Sequence, residues 1–301
     1  MSSCIASCEP LRAKDDIYQG KIIDAHSVAE CNSQEEFTAR LAESLNTWRR
    51  FGRRGIWLEI SGDHANFVSS ALRLGFVFHH ANPPCTVEGS EDSPPVPVSN
   101  SKGTVTLSYW IPGEQGVTST LPSYATHSIG VGAMVINRNK EVLVVQERVE
   151  PVALKGLWKM PTGMVNNGED ACDCAVREVE EETGVKCRAL KLVALREAHS
   201  SVLHGPQGRS NVFMVFLCEP EEDVCSIVKQ DSEIAACKWM QMDEFLESLG
   251  KILPPETLYY VLSELGCHCA KGDYKGMDIA TLPIGHYAGE NRVYLNPRPK
   301  L

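Results

Sequence analysis

The stretch from Gly163 to Val185, GMVNNGEDACDCAVREVEEETGV, decides how this chain folds. It places seven acidic residues in a span that also has the apolar spacing of a helix. Like charges three and four residues apart on a helix repel each other by about 0.2–0.5 kcal/mol per pair. Such crowding is unfavourable unless something binds the carboxylates, so the stretch indicates a binding site as well as a helix.

The predicted helix runs from about Gly168 to Thr183, with Asn167 as its N-cap and Gly184 as its stop. At about 100° per residue, a stripe of glutamates lies beside a stripe of small and apolar residues suited to a core. The glutamates are Glu178, Glu181 and Glu182, and the core-facing residues are Cys172, Ala175, Val176, Val179 and Thr183. Carboxylate oxygens favour hard divalent ions such as Mg²⁺ or Mn²⁺. The spacing therefore predicts a cation site.

Composition limits the other classes of function. The chain has 301 residues, which favours two domains, and its net charge of −10 argues against broad binding of nucleic acid or anionic membrane. No apolar run reaches the roughly 18 residues of a membrane span. The first residues, MSSCIASCEPLRAKDD, lack the apolar core of a signal peptide. We therefore expect a cytoplasmic protein, with a short organellar leader as the open alternative.

The sequence pattern divides the chain into two predicted domains and a C-terminal tail. Residues 17–111 alternate strand and helix patterns and predict a small α/β domain, in which the Pro-, Ser- and acid-rich segment 88–103 is a flexible insertion. Residues 127–266 predict a second α/β domain whose last helix, PPETLYYVLSELG, ends at Gly266. Residues 267–301 show no clear period and are predicted to form a C-terminal tail.

The acidic stretch matches every fixed position of the Nudix box, G-x5-E-x7-R-E-U-x-E-E-x-G-U, where U is aliphatic. The chain is thus similar to the Nudix hydrolases. This resemblance implies an α/β/α sandwich with a mixed sheet, and hydrolysis of a nucleoside diphosphate linked to another moiety with Mg²⁺ or Mn²⁺. A pyrophosphate repels an attacking hydroxide, whereas bound cations neutralise that charge and lower the pKa of a bound water.

The resemblance also implies roles for the matching residues. Arg177 would orient a carboxylate, and Glu169 would support the loop–helix geometry or an outer metal shell. The implied metal ligands are Glu178, Glu181, Glu182 and the carbonyl of Gly163.

Two carboxylates remain open as the general base that takes a proton from water. Glu178 lies in the box, whereas Glu233, in QDSEIAACKW, has the later-loop position that some family members use. Arg196 and His199 are candidates to contact the phosphate or base of the substrate. Trp158 is a candidate to stack on the base.

Several segments outside the box resemble one subgroup. GIWLEI, GFVFHHA, LSYWIP and GLWKMPTG are similar to segments of the plant ADP-ribose/NADH pyrophosphatases and the animal fibroblast-growth-factor antisense protein. In that subgroup an acetyltransferase-like α/β unit precedes the hydrolase, and here it is predicted to make a homodimer contact or to shape the substrate site. The resemblance implies ADP-ribose or NADH as substrate. The alternative is a nucleotide-sensing or regulatory binding protein with weak hydrolase activity.

Overall fold

The computed structural model describes residues 9–84, 86–87, 96–97, 102–113, 118–149, 151–199, 210–222, 226–283 and 290–296. The chain divides into two compact units, residues 1–124 and 125–301. Most of the predicted insertion at 88–103 lies outside the described residues.

The N-terminal unit is a mixed sheet with helices. Its five-stranded sheet has the order β1-β2-β3-β7-β4, in which β2 and β3 run parallel and the other neighbours antiparallel, while β5 and β6 pair with each other. The strands are β1 Lys14–Asp15, β2 Lys21–Ile23, β3 Gly55–Ser61, β4 Val77–Asn82, β5 Thr86–Val87, β6 Val96–Pro97 and β7 Thr104–Trp110. The helices are α1 Ala25–Ala29, α2 Gln34–Arg50 and α3 Val68–Arg73, and a 3₁₀ turn spans Gly62–Phe67.

Helix α2 forms where its sequence has both a cap and an apolar stripe. The Ser33 side chain accepts a hydrogen bond from the backbone N–H of Glu36 at 3.1 Å, which satisfies a donor at the helix start. The apolar residues recur at helical spacing and are buried in the core of this unit. They are Phe37, Leu41, Leu45 and Trp48.

The C-terminal unit contains a six-stranded sheet of order β10-β8-β12-β11-β14-β15 and a separate pair, β13-β9. Strands β8 and β12 run parallel and the other pairs antiparallel. The strands are β8 His127–Val135, β9 Glu141–Glu147, β10 Thr162–Met164, β11 Cys187–Ala198, β12 Ser210–Pro220, β13 Ile234–Gln241, β14 Met277–Pro283 and β15 Glu290–Leu295. The helices are α4 Ala171–Thr183, α5 Met242–Gly250 and α6 Leu258–Lys271, and a 3₁₀ turn spans Val152–Leu154.

The helices cover both faces of the larger sheet. Helix α4 packs its Cys172, Ala175 and Val179 side chains against one face of the sheet. Helix α6 packs against the other face and buries Leu262 there, while α5 packs against α6 and the β13-β9 pair and buries Leu249. The predicted α/β/α sandwich with a mixed sheet is confirmed.

The start of α4 differs from the prediction. The helix begins at Ala171 with Asp170 as its N-cap, not near Gly168. Gly168 has φ +80°, a left-handed conformation that a helix cannot contain, so the chain turns there before the helix starts. The predicted stop at Gly184 is confirmed, since its φ is +69° and its N–H donates to the Glu180 carbonyl at 2.8 Å.

The prediction that Gly266 ends a helix is wrong. Helix α6 continues through Lys271 and is capped by Gly272, whose φ is +88°. Gly266 lies buried inside α6, where an added Cβ would stand 2.6 Å from Cε of Met134 on β8. This glycine therefore allows close approach of the helix to the sheet rather than a turn.

The residues after α6 extend the sheet. The predicted boundary between residues 266 and 267 falls inside α6, and β14 and β15 then add to the edge strand β11. Lys191 on β11 donates from Nζ to Oδ1 of Asp278 on β14 at 2.7 Å, in the same pair of residues that sets the strand register. The apolar and polar residues of β14 and β15 do not alternate regularly enough for the sequence pattern to predict strands there.

None of the described helices is long and apolar enough to cross a membrane. The cysteines in the described part of the chain form no disulfides, and most of them are buried as small core side chains.

Candidate active site

The carboxylate of Glu178 lies directly against the backbone of Gly163. Strand β10 brings Gly163 opposite Val131 of β8, and α4 presents Glu178 to the same point. A Cβ on Gly163 would overlap the Glu178 carboxyl group, so only glycine permits this contact. Burial raises the pKa of Glu178, and the Arg177 guanidinium acts in the opposite direction.

Arg177 binds three carboxylates with one guanidinium. Its Nε and Nη2 contact the two oxygens of Glu169 at 2.7 and 3.0 Å. Its Nη1 contacts Glu178 at 2.8 Å and Glu181 at 3.0 Å. Nη2 also donates to the Met164 carbonyl at 3.2 Å, which ties the helix to the end of β10. The planar guanidinium thus offsets the repulsion among these acids and sets their positions.

Glu182 is the most buried glutamate of the helix, with 6 % of its surface exposed. Its Oε2 is buried and has no hydrogen-bond partner among the described residues. Burial raises the pKa of Glu182 to about 8, and the charge of Lys159 together with a hydrogen bond from the Thr162 backbone offsets only part of that effect. The carboxyl group of Glu182 therefore retains a proton more readily than an exposed glutamate does.

An acidic cavity of about 250 Å³ opens beside Glu182. Glu233, in the turn before β13, lines this cavity, and its carbonyl accepts a hydrogen bond from the Arg148 N–H at 2.7 Å. The structure therefore brings Glu233 to the same cavity as Glu182. Glu147 lines the cavity as a third carboxylate, and its ion pair with Lys159 crosses from β9 to the run before β10.

A larger apolar cavity of about 610 Å³ adjoins the acidic cavity, because Glu147 and Thr162 line both. Arg196 lines the apolar cavity, with its Cζ 5.6 Å from the ring centroid of Phe213. Much of the remaining lining consists of leucine and tyrosine side chains from residues 154–157 and from α6. They include Leu154, Leu157, Leu258, Tyr259 and Leu262.

Two predicted substrate contacts lie elsewhere. Trp158 is not among the lining residues of either cavity, and its ring lies 4.9 Å from Nζ of Lys238 on β13. Its neighbour Lys159 points the opposite way, as alternating residues of an extended chain do. His199 lies beyond β11, where its Nδ1 is 2.9 Å from Oγ of Ser210.

Several polar residues around the cavities were not predicted from the sequence, among them Glu147, Lys159, Thr162 and Tyr259. Lys159 donates from Nζ to Oγ1 of Thr162 at 2.8 Å and pairs with Glu147. The Tyr259 hydroxyl accepts from the Met160 N–H at 2.9 Å, which anchors the run before Gly163 to α6. The one signal in the sequence for these polar residues was Lys159, which stands in the largely apolar segment GLWKMPTG.

The sequence is similar to those of known proteins over most of its length. The sequence matches the NUDIX domain over residues 126–259 and a Nudix hydrolase domain over residues 11–87. It is 38 % identical to Nudix hydrolase 8 of Arabidopsis thaliana over 82 % of this chain and 59 % of that protein. It is 35 % identical to Nudix hydrolase 2 of the same plant over 87 % of this chain and 83 % of that protein.

An animal protein shows the same likeness. Nucleoside diphosphate-linked moiety X motif 6 of Mus musculus is 36 % identical over 69 % of this chain and 57 % of its own length. The chain thus spans less than two thirds of this relative and of Nudix hydrolase 8. The chain belongs to the Nudix hydrolases, a family that acts on nucleoside diphosphates linked to another moiety and generally needs a divalent metal ion.

A divalent cation fits the donor set beside the acidic cavity. The unpartnered Oε2 of Glu182 is a buried acceptor with no donor among the described residues, which is the condition that a cation relieves. Among the described residues, the ligand atoms of Glu178, Glu181 and Glu182 do not all lie within 4.8 Å of one another. The Arg177 guanidinium is bonded to both Glu178 and Glu181 and holds these two carboxylates beside each other.

Proposed function

We propose that the C-terminal unit hydrolyses the pyrophosphate bridge of ADP-ribose, NADH or both with Mg²⁺ or Mn²⁺. The observation that carries the proposal is the junction of the two cavities at Glu147 and Thr162. The acidic cavity suits a cation and the pyrophosphate, while the apolar cavity suits a planar ring. Such a division, an apolar pocket with a few placed polar groups, is typical of small-molecule sites.

In this proposal the box glutamates hold the cation. When bound, the ion would neutralise the pyrophosphate and lower the pKa of a water molecule. Arg177 keeps its three carboxylates in position through the contacts described above. The proposed ligands are Glu178, Glu181, Glu182 and the Gly163 carbonyl, with Glu169 in support.

The reaction needs one proton acceptor. The oxygen of water forms a bond to phosphorus, the bridging P–O bond breaks, and two monophosphates leave; the proton of the water passes to a carboxylate. Glu178 and Glu233 are the two candidates for this base. Burial favours the neutral form of Glu178 and so raises its pKa, which makes its carboxylate a stronger proton acceptor.

Arg196 and Phe213 are proposed to bind the substrate in the apolar cavity. The guanidinium supplies positive charge for a phosphate, and the phenyl ring supplies a stacking face. Replacing Arg196 with methionine is expected to raise KM for ADP-ribose about tenfold or more, as the loss of a charged hydrogen bond predicts, with a smaller change in kcat. Arg188→Met is the control, because its exposed guanidinium pairs with Glu219 away from both cavities.

A substrate panel tests the proposal as a whole. The full chain is assayed with Mg²⁺ or Mn²⁺ against ADP-ribose, NADH, coenzyme A, dinucleoside polyphosphates and oxidised nucleoside triphosphates. Release of two monophosphates from ADP-ribose or NADH at the highest kcat/KM is the expected result. A clear preference for one of the other three groups would refute ADP-ribose and NADH as the substrates, but the chain would still be a hydrolase.

Variants separate the enzyme from the sensing alternative and test the base. Glu182→Gln is expected to abolish turnover, whereas unchanged turnover would favour a sensor with weak activity, in which the raised pKa of Glu182 keeps the cation weakly bound. Glu178→Gln and Glu233→Gln are compared by pH–rate profile, and the base is the residue whose loss removes the acidic limb. Glu180→Gln, on the same helix but half exposed, is the matched control.

The N-terminal unit is proposed to make a homodimer contact or to shape the substrate site. Sedimentation of the full chain distinguishes these roles, since a monomer at assay concentration would exclude the first.

A further inference from the structure

Three side chains with metal-binding atoms converge at one end of the larger sheet. His127 begins β8, Glu197 lies near the end of β11, and His199 follows that strand. One ligand atom of each lies within 4.8 Å of the others. Strand β12 runs between β8 and β11, and its Ser210 pairs with His127, so a small side chain leaves room for the larger ones above it.

Both imidazole rings have a hydroxyl group beside Nδ1. Nδ1 of His127 is 2.8 Å from Oγ1 of Thr126, and Nδ1 of His199 is 2.9 Å from Oγ of Ser210. A hydroxyl that accepts from Nδ1–H leaves the lone pair of Nε2 for a metal ion. Histidine ligands in proteins almost always have their second nitrogen held in this way, which fixes the tautomer and the ring.

The two Nε2 atoms face the same carboxylate oxygen. Nε2–H of His127 donates to Oε1 of Glu197 at 2.7 Å, and a metal ion would replace this proton. Nε2 of His199 lies 4.0 Å from the same oxygen. Zinc–ligand distances of about 2.0–2.2 Å place tetrahedral ligands roughly 3.3 Å apart. The first separation must widen and the second must shorten by less than an ångström each, which exposed side chains can do by small rotations.

We propose that His127, Glu197 and His199 form a zinc site separate from the Nudix box. Two imidazoles and one carboxylate suit Zn²⁺, whereas Mg²⁺ prefers oxygen ligands alone. Three protein ligands leave a fourth position for water or an anionic group. The ion links β8 to β11 across β12, so binding stabilises the folded sheet because the unfolded chain lacks the assembled site. The site is independent of the proposed function.

Titration of the metal-free full chain with Zn²⁺ and Co²⁺ tests the site. With excess Mg²⁺ present to occupy the box glutamates, we expect one equivalent of Co²⁺ to bind with the visible spectrum of nitrogen and oxygen ligands, and one equivalent of Zn²⁺ to raise the Tm. His127→Gln and His199→Gln are each expected to weaken zinc affinity about tenfold or more. His268→Gln, an exposed histidine on α6, is expected to leave the affinity unchanged.

Two further measurements test whether zinc binds at His127, Glu197 and His199. Glu182→Gln is expected to retain zinc binding, because that residue belongs to the Nudix box. Circular dichroism checks that the histidine variants, altered at exposed positions, remain folded. Unchanged zinc affinity in the folded His127 and His199 variants would overturn the proposal, as would cobalt spectra dominated by thiolate charge transfer, which would assign the ion to cysteines.

Discussion

Arg177 and Glu169 form a bidentate ion pair, with Nε 2.7 Å from Oε1 and Nη2 3.0 Å from Oε2. The two residues are eight positions apart, so the pair ties the loop before α4 to the second turn of the helix. The remaining nitrogen of the guanidinium reaches Glu178 and Glu181. The positions of the proposed metal ligands Glu178 and Glu181 therefore depend on the Arg177 side chain.

Arg177→Lys should lower kcat/KM at least about tenfold. An ammonium keeps the charge but has no planar fork, so it cannot hold the three carboxylates together. Each lost hydrogen bond to a charged group is worth about 1.5–3 kcal/mol. Steady-state kinetics with Mg²⁺ measures the effect, and Arg188→Lys serves as the exposed control. Equal kcat/KM in the wild type and the Arg177 variant would contradict this account.

Gly163→Ala should reduce kcat by roughly a hundredfold while the chain stays folded. The added methyl overlaps the Glu178 carboxyl group, and a displacement of about 1 Å in a catalytic group has an effect of that size. Gly250→Ala is the matched control, since its added Cβ meets only Tyr260 at 3.7 Å. Thermal unfolding monitors the fold. If both variants retain full kcat, Glu178 is not held as the structure indicates.

Metal-free protein should lose stability as pH rises from about 5 to 9. The folded pKa of Glu182 is raised to about 8, above its unfolded value, so the folded state binds more protons between the two pKa values and stability falls as pH increases. At about 1.4 kcal/mol per unit, the contribution is on the order of a few kcal/mol.

Glu182→Gln isolates this contribution. Urea unfolding in a chelator should show that the variant gains free energy of unfolding relative to the wild type as pH rises, while Glu180→Gln follows the wild type. A constant difference between the Glu182 variant and the wild type across this pH range would mean that the buried carboxyl does not titrate as described.

Gly266→Leu should destabilise the chain by about 1–3 kcal/mol, the usual cost of overpacking a core. Its side chain would be directed at Met134, whose Cε lies 2.6 Å and Cγ 3.1 Å from the position of an added Cβ. His268→Leu, exposed on the same helix, is the control. The midpoint of urea denaturation measures both. An unchanged midpoint for the Gly266 variant would show that α6 can move away from β8 freely.

The sequence pattern was enough to predict those elements that are stabilised by residues close together in the sequence. The Gly184 stop and the apolar stripe of α4 follow from the backbone of one glycine and from a period of about 3.6 residues. The same reasoning placed Gly266 at a helix end, because in sequence a packing glycine and a capping glycine look alike. Only the distance to Met134 tells them apart.

The sequence by itself determined the family, the arginine and the glutamates of the box, and the stripe that these residues share, since helical spacing depends on neighbours a few positions apart. Tertiary structure alone decided that Oε2 of Glu182 is buried without a hydrogen-bond partner among the described residues, that Glu233 and Glu147 line the same cavity as Glu182, and that β14 and β15 complete the sheet. Burial and cavity shape arise where segments tens of residues apart come into contact, and no local period records those contacts.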